Sequence, residues 1–339
     1  MAKILTAMSG GVDSAVTAAL LLQDGHEVGG AVMQLHGKAE AEVKNAERSA
    51  RQLGIAFYVF SWQKEFFELV QKPFMQVYQS GGTPNPCIVC NQYVKFGLFL
   101  NKALELGYEK IATGHYAQIE KDANGRFLVK MAKDRTKDQT YMFYTLSQDQ
   151  LSRVVLPMAE QTKDETRKIA QELGLLVAQK HDSQDICFVP DGDYMQFLLS
   201  CGMKPTEGRF IGADGTDYGK HRGMEAYTIG QRRGLEVAAG ERIYVTRKEG
   251  GTVFLGANEA LFSKTMRIKS VNYIPFDQPG GSFRCEAKLR YTQKTALCTV
   301  YPTEDGAELV FDEPQRAVTP GQSAVLYDGE YLLGGGIIE

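Results

Sequence analysis

Met8-Ser9-Gly10-Gly11-Val12-Asp13-Ser14 stands directly behind the apolar run Ile4 to Ala7 and directly ahead of Ala15 to Gln23, which has helical periodicity. A strand that turns through two adjacent glycines into a helix makes a phosphate cradle. The glycines reach backbone conformations closed to other residues, so successive N–H groups can converge on an anion at the helix start. Ser9 and Ser14 add hydroxyl donors. No Lys followed by Ser or Thr comes after the last glycine, which excludes the P-loop of ATP and GTP hydrolases.

The same alternation continues outward from this loop. Val28 to Met33, Ala56 to Phe60 and Lys110 to Thr113 read as further strands, separated by helical stretches at Ala39 to Leu53 and Gln92 to Leu106. Gly25, Gly54 and Gly107 stand where those helices should stop. The pattern predicts an α/β fold, a doubly wound parallel sheet whose ligands bind beyond the carboxyl ends of the strands. The glycine loop, Met33 and Thr113-Gly114-His115 all emerge there.

A hairpin with an Asn124-Gly125 turn interrupts the alternation, and helical patterns return at Lys163 to Leu173 and Asp193 to Cys201. After Cys201 glycine becomes frequent. Short alternating runs follow at Arg242 to Thr246, Thr252 to Leu255, Phe283 to Leu289, Ala296 to Tyr301, Glu308 to Phe311 and Ser323 to Tyr327, and predict a small β domain or barrel. The expected organisation is a catalytic domain over 1–201, a small middle domain over 202–266 and a C-terminal β-barrel-like domain over 267–339.

Length and charge narrow the class of function. A chain of 339 residues, 43% of them hydrophobic, can bury more than one core. The formal charge of −3 gives no global reason to expect nucleic acid, so an RNA footprint must be local. Lys204, Arg209, Lys220, Arg222, Arg232, Arg233, Arg242, Arg247 and Lys248, interleaved with Tyr218, Tyr227 and Tyr244, supply such a footprint in the middle segment. Without a long apolar run or a leader-like N-terminus, the chain is expected to be cytoplasmic and away from membranes.

Six cysteines are too sparse for a disulfide scaffold. Cys87 and Cys90 lie in Thr83-Pro84-Asn85-Pro86-Cys87-Ile88-Val89-Cys90-Asn91, and Cys90 is expected at the start of a helix, where the backbone dipole would lower its pKa. Cys187 belongs to a second segment, His181 to Phe188. Two thiols on separate loops suit sulfur transfer followed by disulfide resolution. A structural zinc site or unrelated buried cysteines remain open on this pattern alone. Cys201, Cys285 and Cys298 read as packed, apolar cysteines.

Taken in order, SGGVDS, TPNPxxxCN, ATGHYA (Ala112 to Ala117), KDQTYMFYTL (Lys137 to Leu146), DSQDICF (Asp182 to Phe188), YTIGQRRGL (Tyr227 to Leu235), Arg290-Tyr291 and TPGQSAVLYDG (Thr319 to Gly329) form a recognisable set. The chain closely resembles the tRNA-specific 2-thiouridylase family, MnmA, of the PP-loop ATP pyrophosphatases, over nearly its whole length. The resemblance implies ATP-dependent 2-thiolation of the wobble uridine of tRNAs for lysine, glutamate and glutamine. It implies an adenylated base, and a persulfide supplied by a cysteine desulfurase or a sulfur-relay protein. Ala7, Met8, Ser9, Gly10, Gly11, Val12, Asp13, Ser14, Met33 and Gly114 would hold ATP, with Asp13 the partner of Mg2+ because pyrophosphate leaves as a polyanion. Cys187 would carry the persulfide and Cys90 would resolve it to a disulfide. Asn85, Pro86, Cys87 and His115 would meet the target base. Lys137, Asp138, Gln139, Arg290, Tyr291 and Gln322 would contact tRNA.

One position departs from the family pattern: Cys87 stands where many members have Asp. That gives an alternative in which Cys87, Cys90 and Cys187 hold a [4Fe–4S] cluster with one iron open to sulfide. Two other readings share fewer of the motifs. A PP-loop amidotransferase or synthetase acting on a small carboxylate explains the glycine loop but not the cysteines, and a noncatalytic RNA-binding protein with a cysteine-bound structural metal predicts metal-dependent folding and no AMP production.

Overall fold

The computed structural model describes residues 1–37, 40–178 and 185–339. In chain order the first half supplies β1 (Lys3–Ala7), β2 (Glu27–Gln34), β3 (Ala56–Ser61), β4 (Lys110–Ala112), a hairpin of β5 (Ala117–Lys121) and β6 (Phe127–Met131), and the short β7 (Val154–Val155). Helices α1 (Val12–Gln23) and α2 (Glu40–Leu53) follow β1 and β2. The five strands β3-β2-β1-β4-β7 form one sheet in that order, all parallel. This is the doubly wound arrangement expected from the alternation. Strand order reverses between β1 and β4, so the loops that leave these two strands diverge and open a crevice at their carboxyl ends.

Residue types explain the packing. Ile4 and Leu5 of β1 are buried, and α1 buries residues around much of its circumference, Val12, Val16, Ala18 and Leu21 among them. A helix apolar on more than one side belongs between layers. Gly25, Gly54 and Gly107 take positive φ just beyond their helices, as expected of helix stops. Two helical runs, 63–79 and 86–105, lie between β3 and β4, and Asn91–Leu98 within the second adopts the wider π-helical turn. The run over 63–79 carries Phe66, Val70, Phe74 and Tyr78 at four-residue spacing, all buried in one cluster with Cys90, Val94, Phe188 and Val189.

From Gly208 onward the chain is β apart from short 3-10 turns. A four-stranded sheet, β10-β11-β8-β9, is built from β8 (Gly208–Gly212), β9 (Asp217–His221), β10 (Tyr244–Glu249) and β11 (Thr252–Gly256). Six further strands follow: β12 (Phe262–Tyr273), β13 (Phe283–Lys288), β14 (Ala296–Thr303), β15 (Gly306–Arg316), β16 (Ser323–Asp328) and β17 (Tyr331–Ile338). They run β12-β15-β14-β13-β16-β17, and β12 also pairs with β17, which closes a barrel. Closure removes the exposed edges that an open sheet would leave. β12 runs without a break through residues 266 and 267.

The Asn124-Gly125 hairpin has a second role that alternation does not reveal. β6 pairs with β17, with Leu332 opposite Val129, so the first half of the chain adds two strands to the barrel's sheet. Tyr141 and Tyr144 reinforce this junction by donating to the carbonyl of Ser323 at 2.8 Å and sharing a 2.9 Å bond with its hydroxyl. Among the described residues, no helix is long and apolar enough to cross a membrane.

Candidate active site

The glycine loop turns as its residue types require. Gly10 has φ +70°, and a Cβ there would stand 2.5 Å from the carbonyl oxygen of Glu42 in α2. Only glycine allows that turn and that approach. Gly11 caps α1 without a side-chain hydrogen bond, and Asp13 lies in the first helical turn. Ser14 is built into the loop: its Oγ accepts from the Ser9 N–H at 3.1 Å and donates to the Gly11 carbonyl at 3.0 Å. Ser9 itself is exposed, while Met8, Val12 and Ser14 are buried and Met33 is half-buried. Gly114, after β4, abuts α1 so closely that a Cβ would meet Asp13 and Ser14 at 3.0 Å.

Asp13 is the electrostatic centre of this loop. Lys163, at the first turn of the helix Lys163–Glu172, donates to both of its carboxylate oxygens at 2.7 and 2.9 Å, and the Tyr116 hydroxyl donates to one of them at 3.0 Å. The Lys163 side chain is only 9% exposed and that of Asp13 29%. Lys163 and Tyr116 escaped the sequence reading because nothing local joins positions 13, 116 and 163. The Thr162 to Glu165 capping box did mark where Lys163 enters its helix.

The cysteine helix starts earlier than expected. Asn85 is the N-cap and accepts from the Ile88 N–H at 3.4 Å, with Pro86 in the first turn. Cys87 therefore occupies the helix start, and Cys90 lies within a helical run that continues to residue 105. The expectation of a dipole-lowered Cys90 pKa is overturned. Burial pushes the Cys90 thiol up to about 11, only partly offset by the Lys95 ammonium. Asn-Pro was the available signal, because Asn favours the N-cap and Pro the position after it.

Cys187 comes to the same place from the other segment. Its thiol is pushed up to about 12, first by loss of surrounding water and then by the neighbouring Cys90 and Cys87 thiols. Cys87 is likewise raised, by burial. Cys87 and Cys187 both retain a solvent-exposed edge, whereas Cys90 is buried. His181 to Gln184 lie outside the described residues, as does Ala39. Among the described residues no group of three His, Cys, Asp or Glu side chains is placed to hold a metal ion.

Lys95 links the thiols to the nucleotide loop and was missed by sequence. Its ammonium lies 3.5 Å from His115 Nε2, while His115 Nδ1 shares a 2.8 Å hydrogen bond with Thr113. Burial first and the Lys95 charge second hold the His115 imidazole well below its ordinary range, so it is neutral at neutral pH. The Lys95 charge also favours the thiolate of Cys87, Cys90 and Cys187 alike. In the resting protein burial still wins, which yields a prediction. Iodoacetamide labelling of Cys90 should keep accelerating towards pH 11 rather than level off near 9, measured by peptide mass spectrometry; a plateau at or below pH 9 would contradict it.

The expected tRNA contacts divide by environment. Asn85, His115, Lys137, Asp138, Gln139, Arg290, Tyr291 and Gln322 are half-buried, and Pro86 is buried. Asp138 accepts from the Ala132 N–H and the Thr140 hydroxyl, and the Gln139 side chain accepts from the Tyr116 N–H. Arg290 donates to Thr319 and to the Ala317 carbonyl, and the Tyr291 hydroxyl donates to the Asp138 carbonyl. In the middle segment Arg232, Arg233 and Arg242 are exposed, but Tyr227 is core and Lys248 donates to its carbonyl at 2.6 Å. Tyr227 is thus removed from the expected stacking set. Cys285 and Cys298 are buried as expected, facing each other at 3.7 Å between β13 and β14, whereas Cys201 is exposed rather than packed.

Family profiles match three consecutive segments: a tRNA methyl transferase HUP domain over 2–191, a tRNA methyl transferase PRC-barrel domain over 196–255 and an aminomethyltransferase β-barrel domain over 263–338. Proteins named tRNA-specific 2-thiouridylase MnmA are similar over their full lengths. That of Acetivibrio thermocellus is 45% identical over 99% of both chains. That of Halothermothrix orenii is 44% identical over 100% of this chain and 99% of its own, and that of Clostridioides difficile 44% identical over 99% and 98%.

Proposed function

Because this chain belongs to the tRNA-specific 2-thiouridylase MnmA family, and is a tRNA sulfurtransferase that forms 2-thiouridine, we propose that it does so by adenylating the wobble uridine and transferring a persulfide sulfur between Cys187 and Cys90. The observation that carries the route is the convergence of Cys90, Cys187 and the glycine loop on one region through Lys95, His115 and Gly114.

ATP binds across the loop Ala7 to Ser14, beside Met33 and Gly114. The uracil C2 oxygen attacks the α-phosphorus, the bond to the β-phosphate breaks, pyrophosphate departs and the N3 proton is lost to solvent. Adenylation matters because an amide-type oxygen is a poor leaving group and AMP is a good one. Bound Mg2+ would supply charge neutralisation for the phosphates, and Asp13, the carboxylate in the first turn of α1, would hold it. Lys163 then keeps a cation at the same loop.

The terminal sulfur of a Cys187 persulfide attacks C2 and AMP leaves, joining base and Cys187 through an S–S bond. The Cys90 thiolate attacks the Cys187 Sγ, which breaks that bond and leaves the thiocarbonyl on the base. The transferred sulfur is reduced while the two cysteines are oxidised to a disulfide, and an external thiol reductant resets them. Lys95 favours the thiolate that this last attack requires. Cys87 is a protonated thiol at neutral pH and so replaces the family's acidic group without its charge.

The tRNAs are those for lysine, glutamate and glutamine, the sulfur comes from a cysteine desulfurase or a relay protein, and the compartment is the cytoplasm, where those partners meet. Arg232 and Arg233 offer exposed charge to the phosphate backbone. Incubation with tRNA, ATP, cysteine and a desulfurase tests the reading by nucleoside mass spectrometry. It predicts 2-thiouridine and AMP in equal amounts. Pyrophosphate release driven by a carboxylate and ammonia without tRNA would favour the amidotransferase reading instead.

A further inference from the structure

The loop between β15 and β16 reaches out of the barrel and grips the segment that leads into the cysteine helix. The Gln322 side-chain amide donates to the carbonyls of Thr83 at 2.9 Å and Pro84 at 3.2 Å. The Thr83 N–H donates to the Pro320 carbonyl at 2.8 Å. Gly321, at φ +88°, lets the two loops interlock, since a Cβ there would stand 2.8 Å from Val77 and 3.1 Å from the Thr83 backbone. The next residue after the gripped pair is Asn85, the N-cap of the helix that carries Cys87 and Cys90.

The grip is anchored on the barrel side as well. Arg290 donates to Thr319 at 2.7 Å and to the Ala317 carbonyl at 3.0 Å, and the Gln322 backbone bonds to Ile338 at the end of β17. A single amide thus holds two carbonyls at the point where loop becomes helix, with Cys90 one and a half helical turns further on. Two carbonyls in a half-buried junction need a donor.

We propose that Gln322 is a positioning residue of the C-terminal barrel, which sets the placement of the Cys87 and Cys90 helix by donating to Thr83 and Pro84. Its effect on the reaction runs through the cysteine helix, apart from any contact that Gln322 makes with tRNA. Sulfur transfer is sensitive to such placement, because a displacement of about 1 Å costs about 10²-fold in well-aligned reactions.

The inference rests on the thiolating reading for its kinetic assay but has a second readout that does not. Gln322→Ala should lower the single-turnover rate of 2-thiouridine formation at saturating tRNA about tenfold and raise the rate of Cys90 alkylation in the folded, tRNA-free protein. Gln322→Glu, which keeps size but cannot donate, should behave like Gln322→Ala, while Gln322→Lys, which can donate, should restore part of the rate. A role confined to tRNA contact predicts a different split: weaker tRNA binding in Gln322→Ala with a wild-type rate at saturating tRNA, and unchanged Cys90 alkylation. That outcome, or a wild-type rate in Gln322→Glu, overturns the proposal. Absence of 2-thiouridine with the wild-type protein would instead count against the thiolating reading, and the alkylation comparison would still decide the role of Gln322.

Discussion

Replacing Cys90 with serine should lower 2-thiouridine formation by at least about 10³-fold while pyrophosphate release on tRNA continues. A serine hydroxyl cannot attack a sulfur of the base-linked persulfide to close a disulfide, so the final S–S exchange has no substitute. Adenylation needs none of the atoms removed, because the nucleotide loop is built from β1, α1 and the turn after β4. The two activities are separated by quantifying nucleosides and pyrophosphate in the same reaction. Equal loss of both would mean that Cys90 acts before sulfur enters, or that its burial against Phe188 and Val94 matters more than its chemistry.

Asp13→Asn should instead lower pyrophosphate release and 2-thiouridine formation together, because sulfur enters only an adenylated base. The substitution keeps the shape of the side chain but removes the charge that faces Lys163 and Tyr116. Without it the cation and hydroxyl lose the acceptor that orients them at the start of α1. Pyrophosphate release is expected to fall about 10² to 10³-fold, the scale seen when preorganised charge is removed from a reaction centre. Loss of a largely buried ion pair should also destabilise the fold by about 2 kcal/mol, below the cost of a fully buried pair because Asp13 keeps some solvent. Urea unfolding and pyrophosphate assay together check both. A variant that adenylates normally would show that Asp13 holds the architecture without serving the phosphates. Persulfide loading of Cys187 should be unaffected in either case, since on the proposed route it precedes the use of ATP.

Much of this arrangement is written locally. The strand, double glycine and helix around Met8 to Ser14 needed only short-range rules, and so did the helix stops at Gly25, Gly54 and Gly107. Pro86 shows a rule that was present and misapplied: a proline after asparagine begins a helix there, which moves Cys90 inward and reverses the direction of its pKa. The four-residue spacing of Phe66, Val70, Phe74 and Tyr78 was also readable, and marks the helical run that the alternation of strands obscured. Pairings between distant segments are different in kind. Nothing near Val129 announces Leu332, and nothing near Asp13 announces Lys163, because such contacts follow from how finished layers pack. Tyr227 looked like a stacking platform beside arginines, yet it fills the core of the middle sheet, since an aromatic ring gains more from burial than from one cation nearby.

The central claim is that Cys90 and Cys187 exchange sulfur at one site beside the nucleotide loop. Its most direct test is a single turnover with persulfide-loaded protein, ATP and tRNA, without reductant, followed by peptide mapping. One disulfide joining the Cys90 and Cys187 peptides should form for each 2-thiouridine made. Full 2-thiouridine with both cysteines still open to alkylation would contradict the account.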